Sequence, residues 1–149
     1  MKLGDYLEKD LILPNLTSDS KSGVLMELIS PVGKALSELD TDYAVRVLLD
    51  REKLGTTGIG DSIAIPHGKL ENLEKVVVVV GRSPEGVDFE ALDNRPCSIF
   101  FLVLAPEQIA GMHLRILAQI SRVLKDKEFR ERFMEAKDVE ELWKLLQDV

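Results

Sequence analysis

The sequence predicts an α/β protein, a three-layer αβα sandwich with a mixed sheet between helical layers. Two runs, at 76–80 and 99–105, are apolar at every position, the pattern of strands covered on both faces. Apolar residues three and four apart, before the first run and after the second, mark helices with one wet face. Turn signals at 82–86 and 93–96 permit hairpins among the later strands, which makes the sheet mixed rather than parallel. The predicted order is β-α-α-β-β-β-α-α-α.

Each element has a local reason. Residues 3–7 suit one short helical turn, and Leu11-Ile12-Leu13 a short strand that Pro14 ends. Thr17, Ser18, Asp19 and Ser20 are candidate N-caps. The helix they open, over 21–39, turns Val24, Leu25, Leu28, Ile29, Val32, Leu36 and Leu39 inward, and Pro31 with Gly33 predicts a kink or break. Asp40, Thr41 and Asp42 punctuate. A second helix buries Tyr43, Ala44, Val47, Leu48 and Leu54, carries an Arg46–Asp50 pair, and has Gly55 as its C′ residue. Ile63-Ala64-Ile65 is a short strand closed by Pro66, and 70–75 is a polar link. A loop at 106–111 follows the two buried strands. The next helix, 112–125, places His113, Ile116, Leu117, Ile120 and Leu124 on one face. Asp126 caps another that buries Phe129 and Phe133. Asp138 with Glu141 resembles a capping box for the last, which turns Val139, Leu142, Leu146 and Val149 inward. Trp143, beside Leu142, reads as a packing residue.

Composition narrows the function classes. At 149 residues the chain fits one domain, 1–149, large enough to bury a full core without disulfides. Apolar residues make up 45% and charged residues 30%, as in a soluble globular protein. The formal charge of −7 leaves no basic excess to displace counterions, so nucleic acid is not expected as the main partner. Cys97 is the single cysteine, which excludes an intrachain disulfide and a cysteine-based zinc site. Its apolar neighbours predict a small buried residue. Acidic residues interrupt the opening MKLGDYLEKDL, so no signal peptide is expected. No apolar run approaches the ~18 residues of a membrane span. The expected location is the cytoplasm.

The chemistry concentrates in residues 51–69, REKLGTTGIGDSIAIPHGK. Arg51 falls in the last turn of its helix, beside the apolar face. Such an arginine either complements the helix C-terminus or faces a ligand. Glycines 55, 58 and 60 permit positive φ and bring backbone N–H groups close to a ligand, though such a run also serves as a plain connection. No Gly-Lys-Ser/Thr follows, so it is not a P-loop. His67 stands at a strand end stiffened by Pro66, either presented to a cleft or left on a surface loop. His113 opens a helix, where the macrodipole disfavours imidazolium, so a neutral ring is expected. It is either a core histidine bonded to a backbone carbonyl or a member of a site. A metal hydrolase built on His67, His113 and acids such as Asp61 is disfavoured, because zinc sites usually want three ligands with a supporting shell.

Residues 51–69 resemble the phosphorylation-site signature of the fructose/mannitol-type enzyme IIA family of the bacterial phosphoenolpyruvate-dependent phosphotransferase system. That signature runs arginine-glutamate, two residues, Gly-Ser-Thr-Gly-Ile-Gly, then an apolar strand ending Pro-His with a lysine shortly after. Here it stands as Arg51-Glu52, Gly55-Thr56-Thr57-Gly58-Ile59-Gly60, Ile63-Ala64-Ile65-Pro66-His67 and Lys69. Val87-Asp88-Phe89 with Asp93 resembles the family's Asp-Phe segment, and 102–106 followed by His113 its second-histidine region. Thr56 replaces the usual serine and keeps a hydroxyl. Asp61-Ser62 departs most, standing where the family often has a small or amide residue followed by glycine. An Asp61 carboxylate aimed at a phosphoryl group would weaken its binding, so Asp61 is expected to face solvent.

The resemblance implies that His67 accepts a phosphoryl group from the phosphohistidine of an HPr-like carrier, with His113 and Arg51 as catalytic partners. Arg51 suits two equatorial oxygens. His113 donates to the same group or fixes the His67 ring, and Thr56, Thr57 and Gly58 support the group. Such transfer asks for in-line placement and charge neutralisation, so no cofactor or metal is expected. The attacking imidazole must be neutral, so transfer weakens in acid. The resemblance is closest to the nitrogen-regulatory branch, whose phosphorylation state controls regulatory partner proteins. One alternative is a sugar-specific enzyme IIA handing the group to a IIB domain for fructose- or mannitol-type uptake. Another is an interaction module that no longer accepts phosphate.

Overall fold

The structure, a computed structural model, describes residues 2–108 and 111–149. At its centre β5 (Val77–Val87) pairs antiparallel with β6 (Cys97–Pro106). The two apolar runs of the sequence, apart from Val76 just before β5, lie in this pair and are buried throughout. The pleat sorts them between two cores. Val77, Val79, Phe100, Leu102 and Leu104 face one; Val78, Val80, Ile99, Phe101 and Val103 face the other. Helices α1 (Lys21–Ala35) and α2 (Thr41–Lys53) close the first. Helices α3 (Met112–Leu124), α4 (Lys127–Glu135) and α5 (Val139–Gln147), with the 3-10 turn Leu3–Tyr6, close the second. The predicted αβα sandwich is the fold. Each fully buried Val, Leu or Phe is worth about 1.5–3 kcal/mol, so this doubly covered pair is the main cohesive unit.

Shorter strands flank the pair. β1 (Ile12–Leu13) lies parallel to β5, with Ile12 opposite Val80. β3 (Ile63–Ala64) and β4 (His67–Leu70) both run parallel to β6, one after the other. β2 (Gly58–Gly60) runs antiparallel to β3 at the outer edge. The sheet is therefore mixed, as predicted, with β2 and β4 added to the predicted order.

Several local expectations give way to tertiary contacts. Ser20 caps α1 by accepting from Gly23 N at 3.1 Å. The helix then runs through Pro31 and stops at Ala35, so Leu36 and Leu39 pack from the connection. Leu54, predicted inward, is 85% exposed because α2 closes at Lys53. The Asp50 carboxylate pairs with Lys53 at 3.5 Å rather than with Arg46. The predicted turn at 82–86 is part of β5, whose register against β6 shifts between Arg82 and Val87. There Ser83 Oγ accepts from Gly86 N at 3.1 Å, folding turn chemistry into a bulged strand. The predicted polar link begins later, since Leu70 still belongs to β4. Asp138 caps α5 by accepting from Glu141 N, while Glu141 reaches back to Lys137 N at 2.7 Å and not to Asp138. Of the predicted loop 106–111, Ile109 and Ala110 lie outside the described residues.

Candidate functional site

His67 opens β4 instead of closing the strand before it. It sits opposite Val103, and the Pro66 carbonyl accepts from Val103 N at 2.9 Å. A Cβ on Gly68 would lie 2.9 Å from Val47 Cγ1, so glycine is what lets α2 press onto this strand. The backbone on both sides of His67 is therefore fixed. The ring is half-buried, with Nδ1 2.8 Å from Ile65 O. A carbonyl only accepts, so Nδ1 carries the proton and Nε2 keeps its lone pair.

His67 lines a depression of about 210 Å³ together with Arg51, Thr56, Thr57, Ile59, Ile65, Leu117 and Ser121. The last turn of α2, the connection after it, β2 and α3 each supply a wall. Arg51 Nη1 donates to Gly55 O at 2.8 Å. The arginine thus complements its helix end, one of the two readings that the sequence left open, and also lines the depression.

The threonines are committed to the protein. Thr56 Oγ1 donates to Phe89 O at 3.1 Å and accepts from Gly58 N at 3.1 Å. Thr57 is buried; its N donates to Glu52 Oε1 at 3.0 Å, and its hydroxyl donates to Glu52 Oε2. A hydroxyl has one proton, so in this arrangement neither side chain has one left for a ligand. The glycine run is not an open cradle either. Gly55 and Gly60 have positive φ, but Gly58 lies in β2, where a Cβ would meet Ala91 at 2.9 Å.

His113 is the second residue of α3, on the face that carries Leu117 and Ser121 into the depression. Its Nδ1 is buried and has no hydrogen-bond partner among the described residues, so the backbone-carbonyl reading is not realised. Burial pushes its pKa below the ordinary imidazole value, and Lys69 and His67 act in the same direction. The ring is neutral, as the helix position predicts. Cys97 is buried, with its thiol pushed up to about 11 by that burial, which makes it inert. Among the described residues no cluster of three or more His, Cys, Asp or Glu is suited to a metal ion.

The family model for the phosphoenolpyruvate-dependent sugar phosphotransferase system, EIIA 2, matches residues 5–149. The chain belongs to that family. A nitrogen regulatory protein of Bradyrhizobium diazoefficiens is 38% identical over 146 residues, 98% of this chain and 95% of the relative. The fructose-specific EIIABC component of Bacillus subtilis is 35% identical over 136 residues, 91% of this chain but 21% of that longer protein. The crystal structure of the nitrogen regulatory protein IIA-Ntr from Neisseria meningitidis has a TM-score of 0.89 at 31% identity, covering 97% of this chain and 98% of that one.

In this EIIA 2 chain the signature places Glu52 beside Arg51, and the structure shows that its carboxylate braces the connection after α2. Glu52 is 8% exposed, and Lys21 Nζ bonds its Oε1 at 3.0 Å. The same Nζ stands 4.8 Å from the Phe89 ring centroid. Two sequence signals point to Glu52: it follows Arg51 in the signature, and it falls four residues after Leu48 and eight after Ala44, on the buried stripe of α2. The departure at Asp61-Ser62 also finds its place. Both residues have positive φ, 54° and 67°, in the exposed turn between β2 and β3, and neither lines the depression. Among the described residues no helix is long and apolar enough to cross a membrane.

Proposed function

We propose that this chain is a phosphohistidine carrier, in which His67 takes a phosphoryl group from an HPr-like phosphocarrier and passes it to a second protein. The observation that carries the reading is the His67 tautomer: Nδ1 tied to Ile65 O, with Nε2 left as a lone-pair nucleophile in a depression lined by Arg51. The Nε2 lone pair attacks phosphorus, the phosphorus–nitrogen bond of the donor breaks, and its electron pair returns to the donor imidazole. Charge spreads over three equatorial oxygens. The Arg51 nitrogens not engaged by Gly55 neutralise it, and His113 adds a hydrogen bond. As His67 gains a fourth bond it becomes cationic, and the Ile65 carbonyl on Nδ1–H stabilises that form.

The donor and acceptor are proteins. Leu54, Ile59, Leu92 and Leu114 are exposed at 85%, 47%, 72% and 60%, and all four belong to segments that frame the depression. Leu54 follows the Arg51 turn, Ile59 lines the depression, Leu92 N bonds Gly58 O, and Leu114 follows His113. Apolar side chains around a polar centre suit transient protein docking. The likeness to nitrogen regulatory proteins over nearly their whole length supports a regulatory carrier. The 35% identity to a fructose-specific component supports the second reading, delivery to a IIB domain for sugar uptake.

The test uses phosphoenolpyruvate, the general phosphotransferase enzyme and an HPr-like carrier, with intact mass read under alkaline conditions. One phosphoryl adduct is expected on the wild type and none on His67→Ala. No adduct on the wild type with a competent carrier would sink the reading. Arg51→Ala and His113→Ala should acquire the adduct ~100- to 1,000-fold more slowly, the usual cost of losing one donor to a developing anion. Wild-type rates in both would remove them from the reaction.

A further inference from the structure

We infer that Lys21 and Glu52 are positioning residues for phosphoryl transfer: Glu52 holds residues 55–57, and through them the Arg51 fork, while Lys21 neutralises its buried charge. The inference rests on the carrier reading above. Glu52 accepts from Lys21 Nζ and Thr57 N, each at 3.0 Å, and from the Thr57 hydroxyl. Residue 56 is held beside it, by Thr56 Oγ1 on the carbonyl of Phe89, whose ring Lys21 overlies. Residue 55 offers its carbonyl to Arg51 Nη1 at 2.8 Å. An unbroken series of contacts thus runs from the first residue of α1 to the guanidinium in the depression.

Stability alone does not account for this arrangement. Glu52 continues the Ala44, Leu48 stripe, where an apolar residue would pack without desolvating a charge. Buried ion pairs are often no more stable than apolar replacements of the same volume. What the carboxylate supplies, and an apolar residue does not, is three acceptor contacts that set the site wall. What Lys21 supplies is local neutrality, so that an uncompensated carboxylate does not compete with an incoming phosphoryl group for Arg51.

The experiment compares wild type, Glu52→Gln, Lys21→Met and the double variant, each checked for cooperative thermal unfolding. Single-turnover transfer is measured against concentration of the phosphorylated carrier. Glu52→Gln keeps the shape but swaps one acceptor oxygen for a donor. Its maximal rate should fall ~10-fold or more from misplacement of the reacting groups, with the half-saturating carrier concentration unchanged. Lys21→Met should fall similarly, and the double variant should recover part of the loss because no orphan charge remains. Independently, the Arg51 Nε–Hε resonance should shift in both single variants, although neither substituted side chain bonds Arg51. A wild-type maximal rate in Glu52→Gln, or an unmoved Arg51 resonance, overturns the inference. Should Glu52→Gln fail to fold, Thr57→Val against Thr57→Ser replaces it: valine should slow transfer, serine should restore it, and equal rates overturn the inference. If the wild type takes no phosphoryl group from a competent carrier, the carrier reading fails, and the Arg51 resonance alone decides the positioning.

Discussion

At the scale of single residues the two histidines differ in how their rings are held. His67 is tethered through Nδ1 to Ile65 O, whereas His113 Nδ1 is buried with no partner among the described residues. Burial is the main cause that lowers the His113 pKa from 6.5, with Lys69 and His67 adding to it. The unfolded chain therefore takes up this proton near 6.5, and the folded chain only at lower pH. Between those two values the unfolded state binds more protons, so stability is fullest above the unfolded value and is lost as pH falls toward the folded one. In a ring NMR titration His113 should have its midpoint below 6.5, and His113→Gln should flatten the pH dependence of unfolding in that window. A midpoint at or above the ordinary value would show that the ring is not desolvated. Part of the grouping was legible in the sequence: Arg51 and His67 line one depression, and His113 stands on the α3 face that carries Leu117 and Ser121 into it. The tether on Nδ1 was not, because it depends on how the backbone bends through Pro66. The commitment of the threonine hydroxyls was not either, since Phe89 lies 33 residues from Thr56.

At the scale of elements the β2–β3 hairpin carries a strain that a single change relieves. Gly60 pairs with Ile63, and the two residues between them, Asp61 and Ser62, have φ of 54° and 67°. Two successive positive φ values are the pattern of a type I′ turn, which favours an amide or aspartate followed by glycine. Ser62 holds that second position with a Cβ that the left-handed region disfavours. Ser62→Gly should raise stability by about 0.5–1 kcal/mol, the relief of strain less the added freedom of the unfolded glycine. The urea midpoint should rise with an unchanged slope, and His67 should still take its adduct, since the turn lies outside the depression. A fall in the midpoint would show that the serine makes a compensating contact. Helix caps were legible at Asp126 and Asp138, and among four candidates at Ser20, because a cap is bonded within three residues; Asp40, read only as punctuation, caps α2. The short strands were not. β4 extends only because residues 103–106 of β6 run beside it, and 82–86 stays in β5 as a bulge because Arg82 and Val87 on either side of it pair with Ile99 and Cys97 of β6.

At the scale of the whole molecule one side chain ties the central sheet to the helical layer behind it. Arg82, on β5, is 5% exposed. Its Nε donates to Pro14 O at 3.0 Å, and its Nη1 to Phe133 O at 2.9 Å and Ala136 O at 2.5 Å. The last two carbonyls belong to the end of α4, so the guanidinium caps that helix from within the fold. Burial pushes the Arg82 pKa down and Glu141 pulls it back, yet arginine starts so high that the group stays charged. The sequence reading put Arg82 in a turn, because its partners lie 51 to 68 residues away and leave no local trace. Arg82→Met keeps most of the side-chain volume but strips three carbonyls, one buried and two part-buried, of their donor. Each such group costs about 1–3 kcal/mol when left unsatisfied, so a loss of about 3 kcal/mol or more is expected. Domains of this kind hold only about 5–15 kcal/mol in total, so the urea midpoint should drop sharply. Arg82→Lys should recover only part of the loss, because one ammonium cannot reproduce a fork that spans two segments. A change below about 1 kcal/mol in Arg82→Met, within the range of ordinary surface substitutions, would show that β5 and α4 are held by their apolar faces alone.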